Sequence, residues 1–125
     1  MNKLVLIVDD DASLLDFMDH MIKNEGFPTE RAMDGEEALA KVVALKPAVI
    51  VLDFMMPHLG GHDALRELQA RGYGAIPIIV VTGRAMDDAS IAAVRREPNV
   101  KEFLQKPVRP AQLVAALHRL LDDAS

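Results

Sequence analysis

Along this chain, short apolar runs alternate with longer stretches in which apolar positions recur every three or four residues. Residues 4–8, 48–52 and 78–81 are nearly all apolar, and the mixed runs 27–32 and 100–105 are of similar length. Such runs, bounded by turn residues, predict strands. Between them the helical period takes over. Residues 12–25 place Leu14, Met18, Met21 and Ile22 on one face, and Gly26 suits the position just past a helix end. Asp34-Gly35-Glu36-Glu37 reads as an N-cap with its acidic partner three residues on, ahead of Ala38, Leu39, Val42 and Leu45, and this helix ends at Lys46-Pro47. A loop with Pro57, Gly60 and Gly61 precedes a third helix marked by Ala64, Leu65 and Leu68, which stops near Gly72. The fourth, over 88–96, has Ala89, Ile91, Ala92, Ala93 and Val94, good helix formers of little bulk, and is expected to be loosely held. In the fifth, Pro110 occupies a first turn and Leu113, Leu117, Leu120 and Leu121 form the stripe.

Strict alternation of strand and helix predicts an α/β fold with a five-stranded parallel sheet flanked by five helices. The nearly all-apolar first, third and fourth runs suit strands buried on both faces, whereas Pro28 and Glu30, and Lys101, Glu102 and Gln105, send the second and fifth runs to the edges. With right-handed crossovers, the order 2-1-3-4-5 satisfies these constraints, and other orders with the same edges also do.

The chemistry lies at the strand ends. The runs lead into Asp9 and Asp10, into Asp53, into Thr82 and into Lys106. In open α/β sheets, ligands sit beyond the carboxyl ends of the strands where the order reverses, here between the first and third strands. Three carboxylates, a hydroxyl and a lysine gathered there suit a magnesium ion and a phosphoryl group.

Composition narrows the setting. At 125 residues the chain is expected to be one domain, 1–125, with half of its residues hydrophobic and 26% charged. Nineteen acidic residues against fourteen Lys and Arg give a net charge of -5, and the cations are scattered apart from the Arg95, Arg96 pair. Neither direct nucleic-acid binding nor an acidic membrane surface is expected from such a surface. There is no Cys, hence no disulfide and no thiol chemistry. The apolar start is halted by Asp9, Asp10 and Asp11, too soon for a signal peptide, and no run approaches the about 18 apolar residues of a membrane span, so a cytoplasmic location is expected.

Val8-Asp9-Asp10, Leu52-Asp53-Phe54-Met55-Met56-Pro57 with Gly61 beyond, Val81-Thr82-Gly83 and Phe103-Leu104-Gln105-Lys106-Pro107 stand in order at the ends of successive predicted strands. Together they resemble a response-regulator receiver domain of two-component signalling, similar to the chemotaxis regulators, over the whole chain. The resemblance implies a flavodoxin-like, doubly wound fold. It makes Asp53 the phosphoacceptor, supplied by a sensor histidine kinase or a histidine phosphotransfer protein. Magnesium, with manganese able to substitute, would be held by Asp10 directly, Asp9 partly through water, Asp53, and the backbone carbonyl of Met55. Thr82 and Lys106 would contact the phosphoryl oxygens, and Phe103 would change exposure on activation. Met55 and Arg84, two positions after Asp53 and Thr82, would tune the lifetime of the phosphorylated state. A cis Lys106-Pro107 bond is also expected. The signal would leave through the fourth helix, fifth strand and fifth helix to a protein target, and the chain would be a signalling phosphoacceptor rather than an enzyme.

Each element has a plainer reading. The acidic triplet could simply cap the first helix, Asp53 could form a turn, and Thr82-Gly83 and Lys106-Pro107 could be loop and strand end. Four independent coincidences at four strand ends are needed to sustain that account. Phe103 alone reads more readily as core than as switch. His20 and His118 read as surface, and His58 and His62 as loop surface without a third metal ligand. A magnesium phosphohydrolase with an aspartate nucleophile would want an acid two residues on, where Met55 stands. A receiver-like interaction module that is never phosphorylated is the other alternative. Two departures from the family pattern are Glu97-Pro98-Asn99-Val100 before the fifth strand, where Gly-Ala is common, and Pro28, expected to interrupt the second strand.

Overall fold

The computed structural model describes residues 3–54, 61–83 and 87–122, the side chains of 61, 62 and 64 excepted. The elements run β1 (Val5–Val8), α1 (Ala12–Asn24), β2 (Thr29–Ala32), α2 (Gly35–Leu45), β3 (Val49–Asp53), α3 (Gly61–Ala70), β4 (Ile78–Thr82), α4 (Asp88–Arg95), β5 (Val100–Gln105) and α5 (Pro110–Leu121). All five strands pair in parallel in the order β2-β1-β3-β4-β5. The expected architecture is therefore the one observed, with the reversal between β1 and β3. The central strands β1, β3 and β4 are buried throughout, while β2 and β5 are mixed, as edge strands should be.

Strand alternation divides the core in two. Val5, Ile7, Val49, Val51, Ile79 and Val81 face α1 and α5, packing on Leu15, Met18 and Ile22 and on Leu113, Ala116 and Leu117. Leu6, Val8, Ile50, Leu52, Ile78 and Val80 face the other way onto Leu39 and Val42 of α2, Leu65 and Leu68 of α3, and Val94 of α4. The expected loose hold on α4 corresponds to Val94 being its single buried residue.

Several local expectations shift by one position. On α1 the buried residues are Leu15, Met18, Asp19 and Ile22, with Leu14 and Met21 only partly covered. Asp19 is tolerated there because Thr29 donates to it and Arg31 and Lys23 pair with it. Pro28 does not interrupt β2. It precedes the strand, where its missing N–H is harmless, and its carbonyl accepts the Val5 N–H at 2.9 Å. Asp34 caps α2 by accepting from Glu37 N–H, but the Glu37 carboxylate reaches back to Met33 N–H, one residue before the cap. Leu45 is 43% exposed, since Lys46 turns the chain away in a left-handed conformation.

Candidate functional site

The loops beyond β1, β3 and β4 and the turn after β5 are tied sideways by the backbone. Asp9 N–H donates to Ala32 O at 3.1 Å, Phe54 N–H to Val81 O at 2.9 Å, and Lys106 N–H to Thr82 O at 2.7 Å. These bonds extend the ladder by one step past the strands, so the side chains that follow emerge in register at one rim. In the strand alternation Asp9, Asp53 and Lys106 continue the series that faces α1 and α5, while Thr82 continues that of Val80, on the side of α4.

Single oxygens of Asp9, Asp10 and Asp53 all lie within 4.8 Å of one another. Asp9 is fully buried and Asp53 is 1% exposed, whereas Asp10 faces solvent. The Lys106 ammonium lies 3.5 Å from Asp53 Oδ1 and 3.8 Å from Asp9 Oδ2. The lysine thus stands against two of the three clustered carboxylates. The acidic triplet also divides its labour. Asp11 is the α1 cap, accepting from Ser13 and Leu14 N–H, and its own N–H donates to Asp9 Oδ1 at 2.9 Å. The capping reading is therefore right for Asp11 alone.

Burial pushes the Asp9 carboxyl up to about 6; the Asp11 N–H pulls the other way, the neighbouring Asp53 carboxylate adds to the rise, and Lys106 opposes it. The other oxygen of Asp9, Oδ2, is buried and makes no hydrogen bond. A buried carboxylate oxygen that makes no hydrogen bond, beside two further carboxylates, is the donor set that a hard divalent cation such as magnesium takes, with water completing its shell. The residues present fit that ion.

Thr82 is fully buried at the end of β4, one position beyond the Asp53–Val81 register pair, and its hydroxyl stands 3.5 Å from Gly83 O. Phe103 is half-buried, in register with Val80, and packs on the core side that includes Val94. The Lys106–Pro107 bond is cis. Asp9, Asp10, Asp53 and Lys106 are thus brought together, with Thr82 at the adjoining strand end. Met55 and Arg84 lie outside the described residues, as does His58; of His62 the side chain does. Sequence reasoning missed Arg95, whose guanidinium carbon stands 5.1 Å over the Phe103 ring centroid. It also missed His118, which is set between Glu25 and Asp122. The arginine pair was visible along the chain, but its aromatic partner was eight positions away in another element.

Among the described residues, no helix is long and apolar enough to cross a membrane. Residues 5–118 match the response regulator receiver domain family. The chain is 34% identical over 121 residues to the DNA-binding response regulator MtrA of Mycobacterium tuberculosis, covering 97% of this chain and 51% of that protein. It is 32% identical to the alkaline phosphatase synthesis transcriptional regulatory protein PhoP of Bacillus subtilis, covering 97% of this chain and 49% of that one. The chain spans about half the length of these relatives. A response regulator receiver protein from Pseudomonas putida superposes with a TM-score of 0.90 at 28% identity, over 95% of this chain and 98% of that one. The chemotaxis protein CheY4 of Vibrio cholerae gives 0.86 at 28% identity, over 97% and 100%.

The relatives correct one expectation. Direct nucleic-acid binding was excluded because the basic residues are scattered, yet MtrA is described as DNA-binding. Charge patterning describes the surface of these residues only, and carries no exclusion for regulators about twice as long.

Proposed function

The chain belongs to the response regulator receiver domain family, and from that premise we propose that Asp53 takes a phosphoryl group from a phosphohistidine protein and that the resulting phosphoaspartate shifts the conformation of the domain. The observation that carries this reading is the Lys106 ammonium 3.5 Å from Asp53 Oδ1, with Asp9 and Asp10 alongside. In the transfer, an Asp53 oxygen attacks phosphorus as the N–P bond to the donor histidine breaks, and the electron pair leaves with the imidazole. Such transfers need positioning and charge neutralisation more than covalent help. Lys106 offsets charge on the phosphoryl oxygens, and the Thr82 hydroxyl donates to one of them. Asp9, Asp10, Asp53 and the Met55 carbonyl would hold magnesium, or manganese in its place, which supplies further charge neutralisation when bound. Thr82, drawn toward the phosphoryl group, leaves room that Phe103 fills, which biases a pre-existing equilibrium.

Neither Met55 nor Arg84 offers a carboxylate or amide to align a hydrolytic water, so self-dephosphorylation is slow in this reading. Met55→Asn with Arg84→Glu accelerates loss of the label; an unchanged decay places control of water elsewhere.

Incubation with acetyl phosphate and magnesium followed by intact mass tests the whole. The expected result is one labile adduct, absent from Asp53→Asn and abolished by a chelator. Free phosphate without adduct would instead indicate a phosphohydrolase, and neither product an unphosphorylated interaction module. Undiminished labelling of Asp53→Asn overturns the assignment.

A further inference from the structure

The α4 helix is the least anchored in the fold, eight residues long with Val94 alone buried. The next residue, Arg95, is exposed, and its guanidinium carbon lies 5.1 Å from the centroid of the Phe103 ring on β5. A cation at that range over an aromatic face is attracted by the ring quadrupole. Competing partners are occupied. Glu102, beside Phe103, is held by Arg119 through two hydrogen bonds of 3.1 and 2.9 Å. Among the described residues, Arg95 enters no ion pair, and the ring is the partner the structure records for it. Phe103 is also packed against the core that holds Val80 and Val94. Arg95 and Phe103 also border a surface groove of about 560 Å³ that reaches Lys106 and Arg109. The ring thus has open space beside it and is in contact with both Arg95 and the core.

We propose that Arg95 is a positioning residue that holds Phe103 in the place seen here by a cation–π stack, and so restrains the phosphoryl-accepting site from its activated arrangement. This rests on the reading above that Phe103 relocates when Asp53 is phosphorylated. The physical argument is linkage. An interaction present only in the resting arrangement lowers the population of the other one, and it lowers the ease of any reaction that the other arrangement favours by the same factor. An exposed cation–π contact corresponds to about two- to fivefold in such an equilibrium.

The sign of the effect separates this role from general electrostatics. Removing a cation near the site would slow reaction with the acetyl phosphate anion if charge attraction were all that mattered. Releasing Phe103 does the opposite. Arg95→Met keeps an apolar stem of similar helix propensity and removes the charge, and Arg95→Lys restores a cation and the favourable charge in the last helical turn.

Labelling by acetyl phosphate and magnesium is expected to be about two- to fivefold faster in Arg95→Met and close to wild type in Arg95→Lys. In a Phe103→Leu background, Arg95→Met is expected to change nothing. A urea double-mutant cycle over the two positions, without phosphate, should show favourable coupling. Unchanged or slower labelling of Arg95→Met overturns the proposal, as does equal acceleration in the Phe103→Leu background or the absence of coupling in the cycle. A wild-type chain that takes no label overturns the reading of Asp53 and the regulatory role with it. A labelled wild type with an indifferent Arg95→Met overturns the role of Arg95 alone.

Discussion

The Lys106 ammonium reaches Asp53 Oδ1 at 3.5 Å from the turn that follows an edge strand, two strands away from β3. Its side chain is 29% exposed while that of Asp53 is 1% exposed, so the lysine brings charge from the rim to a carboxylate inside it. Lys106→Met keeps the stem and removes the charge. Labelling of Asp53 by acetyl phosphate is expected to fall about a hundredfold, in line with the loss of one positioned donor at a charged transition state. Intact mass over time measures it.

The raised Asp9 carboxyl makes the metal-free protein sensitive to pH. With a folded-state value of about 6 against 3.8 for the ordinary carboxyl, the folded chain binds more protons than the unfolded chain inside that window. Stability from this group is therefore gained as pH falls through about 6, and is absent above it. The gain amounts to roughly 2–3 kcal/mol when complete. Urea unfolding in a chelator checks this against Asp9→Asn: the advantage of the variant at neutral pH should shrink as the solution is acidified. Magnesium at neutral pH should stabilise the wild type more than the variant.

His118 carries a pH dependence of the same sense, from a hydrogen-bonded cation rather than a buried acid. Its Nε2 lies 3.1 Å from Glu25 Oε1 and its Nδ1 meets Asp122 Oδ2, so both ring nitrogens face carboxylates and the imidazolium satisfies both. The hydrogen bond to Asp122, then that to Glu25, raises its pKa. The stabilisation is present in full below the ordinary histidine value of about 6.5 and is lost as pH rises through the raised folded value. His118→Gln should lower the urea midpoint most in mild acid and least in mild alkali. A difference that does not vary with pH would contradict this.

Val94 is the buried attachment of α4. Val94→Ala removes two buried methyl groups and should cost about 2 kcal/mol locally. Amide exchange over residues 88–95 should accelerate more than that of β1 or β3, because the helix opens without the central strands. Equal acceleration throughout would mean that α4 unfolds only with the whole domain.

Much of this architecture was legible along the chain because it depends on local pattern. Unbroken apolar runs are what strands covered on both faces require, and polar residues in the second and fifth runs are what edges permit, so composition marked the two edges, while the order of the three central strands was one of several that fit them. Asp34 and Gly26 act where short-range capping rules put them, the latter with φ 91°. The site carboxylates were legible for the same reason, since parallel strands bring their carboxyl ends to one rim. What only the tertiary structure decided are contacts between residues far apart in sequence. Glu25 and His118 are 93 positions apart, and nothing local marks either as the other's partner. The acidic triplet looks uniform, yet burial under the rim sets Asp9 apart from the exposed Asp10 and turns Asp11 into a cap. The one-residue rotation of α1, which covers Leu15 and Asp19 rather than Leu14, depends on Thr29 and Arg31 waiting on β2. Helical periodicity places a stripe to within a residue or so, and the packing partner across the interface chooses its centre.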